Sequence, residues 1–130
     1  MLFVDTGAWF AYFLPIDPDH AACEPVFFPA TPRWSRPTNC VDETLTLLQA
    51  RGEPRRALDA GRALFEEDIA RLHMVSADQI SRAWILFQQR LSNGWSFTDC
   101  TSKIVIDDLG IKTAVALDAH FRQYGIAVVP

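Results

Sequence analysis

Residues 1–10 read MLFVDTGAWF, and the fold turns on how Asp5 is read within them. Leu2, Phe3 and Val4 form an apolar run of the length of a short buried strand. GAWFAYFL (7–14) continues as a helix that Pro15 ends. A carboxylate placed straight after a buried strand costs free energy unless something pairs with it. It can cap the helix, ligate a metal, serve as a protease aspartate, or mark a strand end that reaches water.

Further along, DPDHAAC (17–23) reads as a turn feeding a helix that Asp19 caps and that Pro25 and Pro29 shorten or break. PATPRWSRPTNC (29–40) carries three prolines and gives no clear period. NCVDETLTLLQAR (39–51) has helical periodicity, with Gly52 as the stop. Its inner face is Val41, Thr44, Leu45 and Leu48; Asp42 lies opposite, and Glu43 sits on the margin, half turned inward. A helix is expected from Pro54 through Leu72, then a short strand at HMVS (73–76). Ser76 caps the next helix, which Asn93 and Gly94 end. SFTDCTSKIVIDDL (96–109) reads as helix, KTAVAL (112–117) and IAVV (126–129) as strands. Helices alternating with strands predict an α/β domain with a mostly parallel sheet.

The length of 130 residues suits one domain over 1–130. A hydrophobic fraction of 49% with 22% charged residues is that of a globular chain rather than a disordered one. No apolar stretch is long enough to span a bilayer and no basic leader precedes the first one, so neither membrane association nor a signal peptide is expected. Three cysteines without paired spacing suit a reducing, cytoplasmic setting. HAAC (20–23) lacks the further ligands of a zinc site. The net charge of −4 does not advertise a nucleic-acid binder, and the cluster Arg51, Arg55, Arg56 and Arg62 reads as a solvated helix face rather than a basic patch beside an acidic pocket. His20, His73 and His120 are read as surface or capping residues.

Four acids share a placement. Asp5 and Asp118 each follow a strand-like run, Asp99 opens a helix, and Glu43 leans inward from another. Ligands of parallel α/β sheets collect at the carboxyl ends of the strands, where the first two fall. Singly, each has a plain explanation: VDTG and LDAH as turn or cap aspartates, SFTD as a capping box. Together they are harder to dismiss. Two carboxylates about 5 Å apart repel by roughly 3 kcal/mol at an effective dielectric near 20, so four in one pocket raise their pKa values or recruit a cation. Oxygen-only ligands select hard ions such as Mg²⁺ or Mn²⁺. VDTGA also matches the local signature of aspartic proteases, but those are all-β and carry strands ahead of it. A receiver-type phosphoacceptor would need an acidic pair where FVDTG has a single acid.

In this order the acids resemble the PIN domain, and the compact VapC-type ribonuclease in particular. FVDTGAW matches the family's first strand ending in Asp-Ser/Thr, NCVDETLTLLQARG its helix with an inward Glu, SFTDCTSKIV its third acid, and KTAVALDAHF its strand–Asp–x–x–Phe element. DPDHAAC is similar to the turn between the family's first two helices. The resemblance spans the chain and implies a three-layer α/β/α domain with a mostly parallel central sheet flanked by helices. It further implies an endoribonuclease, the toxin of a type II toxin–antitoxin module, hydrolysing RNA phosphodiesters with a metal-activated water. A catalytically silent PIN-like RNA- or protein-binding module is the alternative. Asp5, Glu43, Asp99 and Asp118 would be catalytic and metal-binding, Thr6 and Thr98 would orient them, and Mg²⁺, or Mn²⁺ in its place, would be the cofactor. RNA, a cognate antitoxin and a second copy of the chain would be the partners, with no direct sequence-specific DNA binding. The apolar row Trp9, Phe10, Tyr12 and Phe13 is mainly core and partly a possible interface. Ala119 departs from the Lys or Arg common in relatives after the fourth Asp, which implies either a weaker grip on substrate there or one supplied by Arg122 or Lys103.

Overall fold

The structure, a computed structural model, describes residues 1–27, 34–66 and 69–130. In chain order it forms β1 (Leu2–Val4), α1 (Thr6–Phe13), α2 (His20–Phe27), β2 (Trp34–Pro37), α3 (Thr38–Ala50) and α4 (Pro54–Phe65). Then come β3 (Arg71–His73), α5 (Ala77–Arg90), α6 (Phe97–Asp108), β4 (Thr113–Val115) and β5 (Ala127–Val129). Short 3₁₀ helices cover Leu91–Asn93 and Ala119–Tyr124.

The strands form one sheet in the order β3-β2-β1-β4-β5, and each neighbouring pair is parallel. From β1 the chain steps outward to β2 and β3; β4 then returns to the other side of β1 and β5 lies beyond it. The direction of winding therefore reverses between β1 and β4, which is where parallel α/β sheets open a ligand crevice.

Side chains alternate across each strand, and the core divides accordingly. Phe3 and Ala114 pack with Ala83, Val105, Ile106 and Phe121 on one face. Val4 and Val115 pack with Ala8, Trp9, Val41 and Leu64 on the other. Helices thus cover both faces, as a three-layer α/β/α arrangement requires. Trp9 is fully buried, stacked on Phe13 at 6.0 Å and tilted against Phe27 at 5.0 Å, so the apolar row of α1 serves mainly as core. No described helix is long and apolar enough to cross a membrane.

Three expectations change. The helix begun at Pro54 ends at Phe65 rather than Leu72. Glu66 follows it, at the helix end whose exposed carbonyls disfavour negative charge. The next strand is Arg71–His73 rather than 73–76, because its register is set by β2, with Ser35 opposite Arg71 and Pro37 opposite His73. α2 continues through Pro25 to Phe27, giving up one helical hydrogen bond instead of breaking. In the stretch 29–40, which showed no period, β2 and the start of α3 take shape; Pro29 and Pro32 lie outside the described residues.

Leu48 is fully buried on the inner face of α3, beside Leu14 and Ala60. Leu48→Ala is expected to lower stability by about 2–5 kcal/mol in urea denaturation, through lost transfer free energy and the cavity left behind. Asp42→Ala, on the exposed face of the same helix, is expected to change it by about 0.5 kcal/mol or less.

Candidate active site

Asp5 leaves β1 at the switch point. Its N–H donates to Val115 O of β4 at 2.9 Å and its carbonyl accepts from Trp9 N at 3.0 Å, so one residue closes the strand and opens α1. Its carboxylate accepts from Gly7 N at 3.3 Å. The residue is only 8% exposed. Burial pushes its pKa up to about 7; the Gly7 and Thr6 N–H groups oppose that rise, and the Asp99 and Glu43 carboxylates add to it.

The other three acids reach the same cleft from separate elements. Glu43, half-buried on α3, accepts the Thr6 hydroxyl at 2.9 Å. Asp99 stands in the first turn of α6 in a reciprocal capping box: Ser96 N donates to its carboxylate at 2.7 Å, and its own N–H donates to Ser96 Oγ at 3.0 Å. Tyr124 Oη donates to the Asp99 carbonyl at 2.7 Å. Asp118 follows β4 and accepts from His120 N at 2.8 Å.

Together these four carboxylates line an open cleft of about 520 Å³, shared with Thr6, Thr98 and His120. No Lys or Arg is among the lining residues. Lys103 is paired with Asp107 instead, and neither it nor Arg122 lines the cleft. Of the two hydroxyls expected to orient the acids, Thr6 bonds Glu43, while Thr98 lines the wall. Gly7, Gly94, Ser96, Leu117 and His120 also line it. Of these, His120, read from the sequence as a surface or capping residue, stands against an acid of the cleft: its Nδ1 lies 2.8 Å from Asp118 Oδ1. The signal was present in LDAHF, where a ring two residues past an acid shares its turn.

The donor set fits a hard divalent cation. Four carboxylates with no cationic side chain in the lining, one of them buried, need a positive charge, and oxygen ligands select Mg²⁺ or Mn²⁺. Among the described residues, no three His, Cys, Asp or Glu side chains are gathered closely enough to hold an ion as they stand. The fit is one of donor chemistry rather than of a preformed cage. Cys40 lies beneath the cleft, 3.7 Å from Ser102 Oγ. Burial foremost, with the Asp5 carboxylate adding to it, pushes its thiol far up, so it packs as a neutral group.

No family model matches the sequence. The chain is similar to the 23S rRNA-specific endonuclease VapC20 of two Mycobacterium tuberculosis strains, CDC 1551/Oshkosh and H37Rv. Each is 31% identical over 129 residues, covering 99% of this chain and 98% of the relative. It also superposes on the crystal structure of M. tuberculosis VapC20, described as a sarcin-ricin loop cleaving toxin, with a TM-score of 0.92 at 30% identity over the whole of both chains.

The raised pKa of Asp5 has a signed consequence. Between the ordinary value of 3.8 and about 7 the folded chain holds a proton that the unfolded chain has released, so stability falls as pH rises through that window. In EDTA, Asp5→Asn is expected to melt above the parent, by a margin that widens from about pH 5 to about pH 8. A margin that stays flat with pH in thermal scans contradicts this account.

Proposed function

Because this chain belongs to the VapC-type family of PIN-domain ribonucleases, we propose that it is a divalent-cation-dependent endoribonuclease and the toxin of a toxin–antitoxin pair. Asp5, Glu43, Asp99 and Asp118 are its metal-binding and catalytic carboxylates in this reading. The observation that carries it is their convergence, from four separate elements, on a cleft without Lys or Arg in its lining.

Asp5, Glu43, Asp99 and Asp118 would hold a Mg²⁺ or Mn²⁺ ion, which would supply Lewis-acid chemistry toward the phosphodiester and its water. The chain's own residues prepare for it. Thr6 holds one oxygen of Glu43 and the Ser96 N–H holds one of Asp99, while each carboxylate keeps further acceptor sites. Gly7, at the start of α1, offers its N–H to Asp5 Oδ2 at 3.3 Å.

RNA is the substrate in this reading, and 23S rRNA, the target named for the relative, is the RNA to test first. The antitoxin partner rests on family membership. The homodimer is supported by α5, which leaves Trp84 and Ile85 more than half exposed, whereas Trp9 of α1 turns inward. Cytoplasmic action follows from the RNA substrate.

EDTA is expected to stop cleavage of 23S rRNA fragments, and Mg²⁺ or Mn²⁺ to restore it. Asp5→Asn and Asp99→Asn are expected to lose more than the roughly 100-fold that marks the upper range for partners outside the metal's ligand shell. Thr6→Val, which frees Glu43, is expected to lose about 10–100-fold. Cleavage by the two Asn variants at the parent's rate in a gel assay sinks the assignment.

A further inference from the structure

Asp99 and Asp118 come from different elements, yet a single ring stands between their side chains. His120 Nδ1 lies 2.8 Å from Asp118 Oδ1 and 3.7 Å from Asp99 Oδ2. This nitrogen is buried, and among the described residues it makes no aligned hydrogen bond. Both facing oxygens are themselves held in place, Asp99 Oδ2 by Ser96 N at 2.7 Å and Asp118 Oδ1 by His120 N at 2.8 Å. The ring is backed by Trp95, with centroids 6.5 Å apart, and Trp95 is in turn packed on Tyr124 at 4.8 Å.

An unshared pair on Nδ1 would face two carboxylate oxygens and be repelled by both. An N–H in the same place is attracted to both, and this holds whether or not the ring also carries its second proton. Tyr124 already ties the backbone of Asp99 to the 3₁₀ helix that follows Asp118, so the ring is the matching link between the side chains.

We propose that His120 is a positioning residue for the carboxylate site: its Nδ1–H, lying between Asp118 Oδ1 and Asp99 Oδ2, sets the spacing of these two acids for a divalent cation. This rests on the metal-dependent reading above. His120 does not ligate the ion in this scheme. Its effect passes through the two acids, as outer partners tune metal sites elsewhere.

The test is calorimetric titration of the intact protein with Mn²⁺, without RNA, alongside thermal melting. An Asn amide nitrogen falls near the place of Nδ1, whereas a Gln amide nitrogen falls near that of Nε2. His120→Asn is expected to keep the parent's Mn²⁺ affinity, and His120→Gln and His120→Ala to lose about 10–100-fold, with melting temperatures close to the parent's. Parent-like affinity in His120→Gln or His120→Ala overturns the proposal, and so does equal loss in the Asn and Gln variants. Asp99→Asn separates the two levels: if it binds Mn²⁺ as the parent does, the metal-dependent reading itself has failed. ¹⁵N spectra of the unaltered protein need no variant. They are expected to show Nδ1 protonated in the Mg²⁺-loaded state, and a ring protonated at Nε2 alone overturns the assignment.

Discussion

Asp5 joins backbone order to site chemistry through one peptide unit. Its N–H is bonded into the sheet at Val115 O, its carbonyl starts the α1 ladder at Trp9 N, and its side chain turns into the cleft. A carboxylate this deeply buried resists ionisation, and its pKa of about 7 registers that resistance. A hydrophobic residue at this position would avoid the penalty. The fold keeps the charge and arranges three further acids around the same crevice. β1 and β4 are paired in register, so the residues that follow them emerge at one edge. The site therefore depends on a single strand pairing at the point where the winding of the sheet reverses.

The three aspartates are each anchored by one short-range bond of the kind found at ordinary helix starts, whereas the anchor of Glu43 comes from a distant element. Asp5 accepts from Gly7 N, Asp99 from Ser96 N and Asp118 from His120 N, while Glu43 accepts from the Thr6 hydroxyl. Capping and catalysis are thus not competing explanations for these aspartates. A cap bond occupies one acceptor position of a carboxylate that has about four, and it fixes the direction in which the remaining ones are offered. The small buried side chains of Cys40 and Ser102 meet at 3.7 Å across the contact of α3 with α6, two of the helices that deliver the acids.

This explains which parts were legible in the sequence. β1, the inward lean of Glu43, and the Ser76 and Ser96 caps are local patterns, written within a few residues of themselves, and each appears in the structure. β3 was misplaced because its register comes from β2, more than thirty residues earlier, and ARLH has no alternating pattern of its own. The end of α4 at Phe65 is followed by Glu66, whose charge opposes the helix dipole. The 3₁₀ helix at Ala119–Tyr124 is too short for any period to show. His120 was read as a surface or capping residue for a further reason: its approach to Asp99 joins residues distant in sequence and adjacent only after folding.

Substrate attraction poses an electrostatic problem that the chain does not solve alone at the cleft. RNA is a polyanion, and the lining offers it four acids and no Lys or Arg. Several described cations are committed elsewhere: Arg82 to Asp78 and Asp108, Lys103 to Asp107, and Arg56 to the Phe13 carbonyl. Arg90 lies over the Trp95 ring at 5.2 Å, and Trp95 stands in sequence between the lining residues Gly94 and Ser96. On the proposed metal-dependent reading, a phosphate reaching the acids meets its main positive charge in a bound cation. Long-range charge then discriminates poorly between RNAs. On that reading, selection rests on the shape that the rim accepts around unpaired nucleotides, and Leu117 presents an apolar side chain at the wall.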